Sequence, residues 1–170
     1  MTTGTNNTFI GGNAGDDCVD GTDNVAVGYG ALSADAANQN TAVGTGALAV
    51  NTASEATALG FEAAKSNTSG VNLTAIGKQA LMSNTSGHHN TAVGIACLDA
   101  NTTGQHNTAV GVGSLGANTT ASNNTAIGSA CLGNNTTGDA IVAVGKSTLT
   151  SNTTGRFNTG CGYEALYSNT

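Results

Sequence analysis

One short phrase recurs along the whole chain at an almost fixed interval, and this recurrence most constrains the fold. A glycine closes a phrase close to Thr-Ala-Val-Gly ten times, at intervals of 17, 16 and 16 residues followed by six intervals of 17. A repeat made of two helices needs more than about 30 residues, and the frequent Asn, Thr and Gly disfavour a single short helix. The period therefore predicts a stack of short coils. The ten glycines are Gly11, Gly28, Gly44, Gly60, Gly77, Gly94, Gly111, Gly128, Gly145 and Gly162.

Equivalent positions of the repeat carry the same kinds of residue. The fourth position is a β-branched or other apolar residue in nearly every copy, the ninth is mostly Leu, and the twelfth is mostly Asn. In a β-solenoid, successive coils lie about 4.8 Å apart, so these residues stack in columns. We expect valine and leucine columns in the interior and an asparagine amide ladder between coils. The ladder residues include Val43, Val93, Val110, Leu48, Leu98, Leu115, Asn101, Asn118 and Asn135.

The predicted fold class is all-β, a parallel β-solenoid or β-roll of about ten coils of 16–17 residues. Residues 1–23 are predicted to form a degenerate first coil that caps the N-terminal end, because Phe9 replaces the usual Ala and Gly15 the usual Leu. Residues 24–170 continue this coil as one domain. The last copy of the repeat is incomplete, so we expect the chain to be a segment of a longer fibre.

Composition narrows the possible partners. Charged residues make up 8% of the chain and the formal net charge is −6. Four Lys and Arg residues in total cannot form a basic patch, so nucleic acid is not an expected partner. No apolar run reaches the length that spans a membrane, and the N-terminus lacks the pattern of a signal peptide. We expect no membrane insertion.

The alternation of a strand separates the repeat into two faces. In Asn-Thr-Ala-Val-Gly, Thr and Val share one side, whereas Ala and Gly share the other. If Val points inward, a smooth alanine stripe faces outward and allows another chain to approach closely; alternatively, Ala is only a small residue on a wet face. Since one Val and one Leu per coil make a thin core, we expect several copies of the chain to share apolar faces.

Few side chains suggest chemistry. His89 and His106 fill the same slot in adjacent coils, which places them about 5 Å apart; they form either a metal site or a pair of exposed turn histidines. The sixth position varies most and is predicted to point outward, where Tyr29, Phe61 and Tyr163 are candidates for stacking on sugar rings. No nucleophile, base or carboxylate pair recurs with the repeat. We expect no catalysis and no cofactor.

The phrases "NTAVGVGSL", "NTTGQHNTAVG" and "GYEALYSNT" resemble the repeats of bacteriophage tail-fibre proteins, and they are similar to the repeats in the heads of trimeric autotransporter adhesins. The resemblance covers essentially the whole chain. It implies a homotrimeric β-roll, exposed on a virion tail fibre or at a cell surface, that attaches to a host-surface glycan.

The leading functional hypothesis is therefore a rigid, adhesive and non-catalytic segment of a trimeric fibre. The alternative is an ice-binding β-solenoid, in which Thr columns on a flat face order water. The sequence offers two Thr columns, one in the strand and one in the Asn-Thr-Thr segment. We expect the strand column to be a poor ice-binding face if Val on the same side of the strand is buried.

Overall fold

Within residues 3–170, ten short strands form a single parallel sheet in the order in which they occur along the chain. The computed structural model describes residues 3–170. Among these residues, no helix is long and apolar enough to cross a lipid bilayer. The strands are β1 (Thr8–Ile10), β2 (Val25–Val27), β3 (Thr41–Val43), β4 (Ala56–Leu59), β5 (Leu73–Ile76), β6 (Thr91–Val93), β7 (Thr108–Val110), β8 (Thr125–Ile127), β9 (Val142–Val144) and β10 (Thr159–Cys161).

Neighbouring strands pair so that equivalent positions of the repeat lie side by side. Ala42 lies opposite Ala58, and Val43 lies opposite Leu59; Val93 lies opposite Val110. The coils follow one another at the 16–17-residue period seen in the sequence, and the predicted all-β parallel solenoid is confirmed. The first coil joins the stack through the same register, with Phe9 opposite Ala26.

The interior of the solenoid is lined by alanine rather than valine. The strand alanines Ala42, Ala58 and Ala109 are fully buried, as are Leu48, Leu98 and Leu115 of the ninth position, whereas the valine column points outward. Val43 and Val93 are half-buried, and Val110 is 36% exposed. The prediction that valine lies inside and alanine outside is therefore wrong.

The first coil shows why the strand offers only a small side chain to the interior. Phe9 takes the alanine position there, and the opposing ninth position is Gly15 rather than Leu. A Cβ atom built on Gly15 would lie 2.5 Å from the Phe9 ring. Between the third and the ninth position, each coil thus has room for one large apolar side chain. Leu supplies it from the turn in most coils, so the strand must present Ala.

The leucines reach the interior from an unusual backbone conformation. Leu98 has a φ of 53° and Leu115 a φ of 52°, in the left-handed region. This region disfavours residues other than glycine by roughly 1–2 kcal/mol per residue. Full burial of a leucine side chain contributes roughly 1.5–3 kcal/mol, so burial offsets the strain in the coils whose ninth-position leucine is buried.

A ladder of buried asparagine amides runs up the solenoid. Asn118 Nδ2 donates to Asn101 Oδ1 at 2.8 Å, and Asn135 Nδ2 donates to Asn118 Oδ1 at 3.3 Å. Each of these amides also donates to a carbonyl three residues ahead in its own coil, as Asn135 does to Gly138 O at 2.9 Å. Across residues 3–170, no buried side-chain nitrogen or oxygen lacks a hydrogen-bond partner.

Candidate functional site

The outward side of the parallel sheet is the most distinctive surface of the molecule. We call it the Thr–Val face; it consists of the second and fourth residues of each repeat. Its fourth position holds an unbroken column of largely apolar side chains. Ten coils at about 4.8 Å give this column a length of about 43 Å. Its most exposed apolar members are Ile10 at 59%, Leu59 at 47%, Ile127 at 42% and Val110 at 36%.

A second column of exposed side chains runs beside the Thr–Val face, at the sixth position of the repeat. The residue at this position varies from coil to coil, with Lys78 and Lys146 among apolar and aromatic residues. Single exposed apolar residues are ordinary on protein surfaces, but a contiguous apolar patch marks an interaction site. The apolar members are Tyr29 at 65%, Phe61 at 46%, Ile95 at 52%, Val112 at 54% and Tyr163 at 67%.

The three aromatic residues proposed for sugar stacking lie on the surface but do not meet. Tyr29 and Phe61 are separated by two coils, which is about 10 Å along the solenoid, and Tyr163 lies six coils beyond Phe61. Tyr163 has charged neighbours of its own: Lys146 Nζ lies 5.8 Å from the centre of its ring. A hydrogen bond with Glu164 raises the pKa of the Tyr163 hydroxyl.

The two candidate metal-binding histidines stack on each other. The ring centres of His89 and His106 lie 4.8 Å apart, with planes tilted by 10°, and both side chains are exposed. His88 is engaged elsewhere, since its Nδ1 accepts a hydrogen bond from the Val71 backbone N–H at 3.2 Å. Within residues 3–170, no group of three or more His, Cys, Asp or Glu side chains converges as a metal site would require.

The cysteines divide into three that are buried and one that is exposed. Cys97 Sγ donates to Ala109 O, and Cys131 Sγ donates to Ala143 O, both at 3.2 Å. Burial raises the pKa of Cys97 to about 12 and that of Cys131 to about 11, so both are protonated, inert space-filling residues. Cys161 belongs to the outward valine column and is exposed. Cys18, in the first coil, is buried.

The two threonine columns differ in how they use their hydroxyl groups. In the Asn-Thr-Thr segment, Thr102 Oγ1 donates to Thr119 O at 3.0 Å, and Thr85 Oγ1 donates in the same way to Thr102 O at 3.1 Å. The hydroxyl donors of this column are therefore used in hydrogen bonds to the neighbouring coil. The strand threonines lie on the Thr–Val face, where Thr57 and Thr108 are exposed.

Sequence reasoning placed the candidate side chains in their columns but missed the exposed apolar column of the Thr–Val face, because it assigned valine to the interior. What the Thr–Val face offers is shape and apolar contact rather than reactive groups. Comparison of the chain with protein-family models, with curated protein sequences and with solved structures finds no match.

Proposed function

We propose that this chain is a rigid, non-catalytic segment of a homotrimeric fibre that attaches to a host surface, as part of a virion tail fibre or a cell-surface adhesin. One observation carries the proposal: an apolar column runs the full length of an exposed sheet face. The resemblance of the repeats to fibre and adhesin repeats supplies the number three, the extracellular location and a surface glycan as the target.

The Thr–Val face is suited to a second copy of the same chain. If copies associate around an axis parallel to the solenoid, each coil places its own Val, Ile or Leu against the equivalent residue of the partner copy. Each half-exposed side chain buried in this way contributes on the order of 1 kcal/mol. Ten coils together contribute on the order of 10 kcal/mol, which is comparable to the whole stability of an ordinary domain.

Rigidity follows from the register of the coils. Every coil is tied to the next through the parallel sheet and, from Asn51 onward, through the amide ladder. The ladder reaches Asn169, whose Nδ2 donates to Asn152 Oδ1 at 3.3 Å. Bending the solenoid would stretch these hydrogen bonds on one side, so the chain is suited to hold a binding site at a distance.

Charges placed on the Thr–Val face should separate the copies without unfolding them. Val93 and Val110 are adjacent in their column and partly exposed. We expect the double variant Val93→Asp, Val110→Asp to lower the native mass from three chains to one chain of 16.5 kDa, because like charges would meet across the interface. Light scattering on a sizing column measures this mass directly.

The matched control is Thr103→Asp with Thr120→Asp, which adds the same two charges to the same two coils at exposed positions away from the strands. This control should keep the mass of the native protein. A native protein that is monomeric, or a strand-face variant that stays fully assembled, would contradict the proposed function.

The outward orientation of the strand threonines favours a second candidate function, binding to ice. The main objection to it was that Val on the same side would be buried, and the structure removes that objection. The two threonine columns nevertheless lie in different segments of the coil, so only one Thr column lies on the exposed sheet face, beside Val. A thermal-hysteresis measurement separates the two functions: an ice-binding solenoid depresses the freezing point at millimolar concentration, and a fibre segment does not.

A further inference from the structure

An open groove of about 470 Å³ crosses the coils near the N-terminal end of the solenoid. It owes its depth to missing side chains. The seventh repeat position is glycine in two successive coils, Gly30 and Gly46, with φ of 61° and 67°. Asn13 and Glu62 fill the same position in the flanking coils and close the groove at its two ends.

The groove combines an aromatic ring with hydrogen-bonding groups. Tyr29, which is 65% exposed, lines one side, and the hydroxyls of Ser33 and Thr45 line the groove with Asn13. An exposed aromatic ring packs against the C–H face of a sugar ring, while amide and hydroxyl groups bind its hydroxyls. The volume lies within the range of roughly 300–1,000 Å³ found for small-ligand sites.

One carboxylate of the groove is already held in place. Glu62 accepts hydrogen bonds from Lys65 Nζ at 2.7 Å and from Gln79 Nε2 at 3.0 Å. The hydrogen bond from Lys65, followed by that from Gln79, lowers the pKa of the Glu62 carboxyl. Glu62 is therefore an ionised hydrogen-bond acceptor whose orientation is fixed before any ligand arrives.

The charge of the groove restricts its ligand. Asp16, Asp17 and Glu62 contribute three negative charges, and Lys65 contributes the single positive charge among the lining residues. Sialylated, sulfated or phosphorylated sugars would be repelled by this balance. Sugar hydroxyl groups, in contrast, donate well to carboxylates.

We infer that this groove binds a short uncharged oligosaccharide, with Tyr29 stacked on one sugar ring and Glu62 accepting hydrogen bonds from sugar hydroxyls. The inference rests on the proposed attachment function and names the site and the chemical class of its target. It also gives Tyr29 a role that Phe61 and Tyr163 do not share, because neither of those residues lines the groove.

A single side chain should close the groove without disturbing the fold. Gly30→Gln introduces into the groove the residue that Gln79 already places at the same repeat position, with φ of 58°. A Cβ atom at Gly30 would meet no atom within 4 Å. The matched control is Gly113→Gln, at the same repeat position five coils away, where φ is 63° and a Cβ atom also meets nothing.

The test is saturation-transfer NMR of the native protein with maltotriose, cellotriose, chitotriose, lactose and 3′-sialyllactose. We expect at least one uncharged sugar to bind, its affinity to fall at least tenfold in both Gly30→Gln and Tyr29→Ala, and Gly113→Gln to bind as the native protein does. Absence of binding by every uncharged sugar, equal binding by Gly30→Gln, or tighter binding of sialyllactose than of lactose would overturn the inference. The native mass of the same samples reports separately on the fibre function.

Discussion

Replacing Gly111 with alanine should destabilise the solenoid by about 2–6 kcal/mol. This is among the largest effects expected from adding one methyl group to this chain. Gly111 follows strand β7 with a φ of 132°, a conformation open essentially to glycine alone. A Cβ atom there would lie 2.5 Å from Gly128 O and 2.6 Å from Gly128 C. Both atoms belong to the backbone of the next coil, which cannot move away without breaking the sheet.

The control for this prediction is a glycine two residues farther on. Gly113 has a φ of 63°, and alanine already occupies the same repeat position at Ala96 and Ala130 with φ of 48° and 54°. Gly113→Ala should therefore cost only about 1–2 kcal/mol. Thermal and denaturant unfolding of the two variants at one protein concentration makes the comparison, and equal losses of stability would show that the coils do not approach each other as closely at Gly111 as described.

Truncating one rung of the amide ladder should lower the stability by a comparable amount. Asn135→Ala removes the donor to Asn118 Oδ1 and the acceptor for Asn152 Nδ2, which donates at 2.9 Å. The Asn118 oxygen is then left without its partner inside the solenoid. The variant also loses the hydrogen bond from Asn135 to Gly138 O. Three lost hydrogen bonds at about 1 kcal/mol each, together with roughly 1–3 kcal/mol for a buried unpaired group, predict a loss of about 4–6 kcal/mol.

The preceding residue provides the matched control, since it is also asparagine. Asn134 is exposed, and its backbone N–H donates to Thr150 O at 3.2 Å, a bond that alanine retains. Asn134→Ala should change the free energy of unfolding by less than about 0.5 kcal/mol. If Asn134→Ala and Asn135→Ala unfold at the same denaturant concentration, the amide ladder does not stabilise the stack.

The repeat period and the pairing of like residues could be read from the sequence, because both are properties of the spacing alone. Which strand face is buried could not. Ala and Val are both apolar, and the alternation of a strand is satisfied equally well by either orientation. The deciding factor was the width of the coil, seen where Phe9 occupies the space that Leu fills in other coils. The positive φ of Leu98 had no signal either, since Gly and Asn are the residues that normally indicate it.

The outward position of a candidate surface residue was predictable where it follows from the place of the residue in the repeat. A binding groove that depends on missing side chains was not. The outward position of Tyr29 and the stacking distance of His89 and His106 follow from coil spacing. The groove beside Tyr29 depends on side chains that Gly30 and Gly46 lack and on the walls that Asn13 and Glu62 provide. Gly113 occupies the same repeat position but lies between Ala96 and Ala130, which provide no comparable walls.

The orientation of the strands and the use of their outer face can be tested together by a pair of single cysteines. Ala58 is fully buried and Leu59, its neighbour in β4, is 47% exposed; Cys161 is exposed and is replaced by Ser in both variants. After mild oxidation and non-reducing electrophoresis, we predict disulfide-linked chains for Leu59→Cys and none for Ala58→Cys. Linked chains for Ala58→Cys, or none for Leu59→Cys, would contradict an outward valine column on which copies of the chain associate.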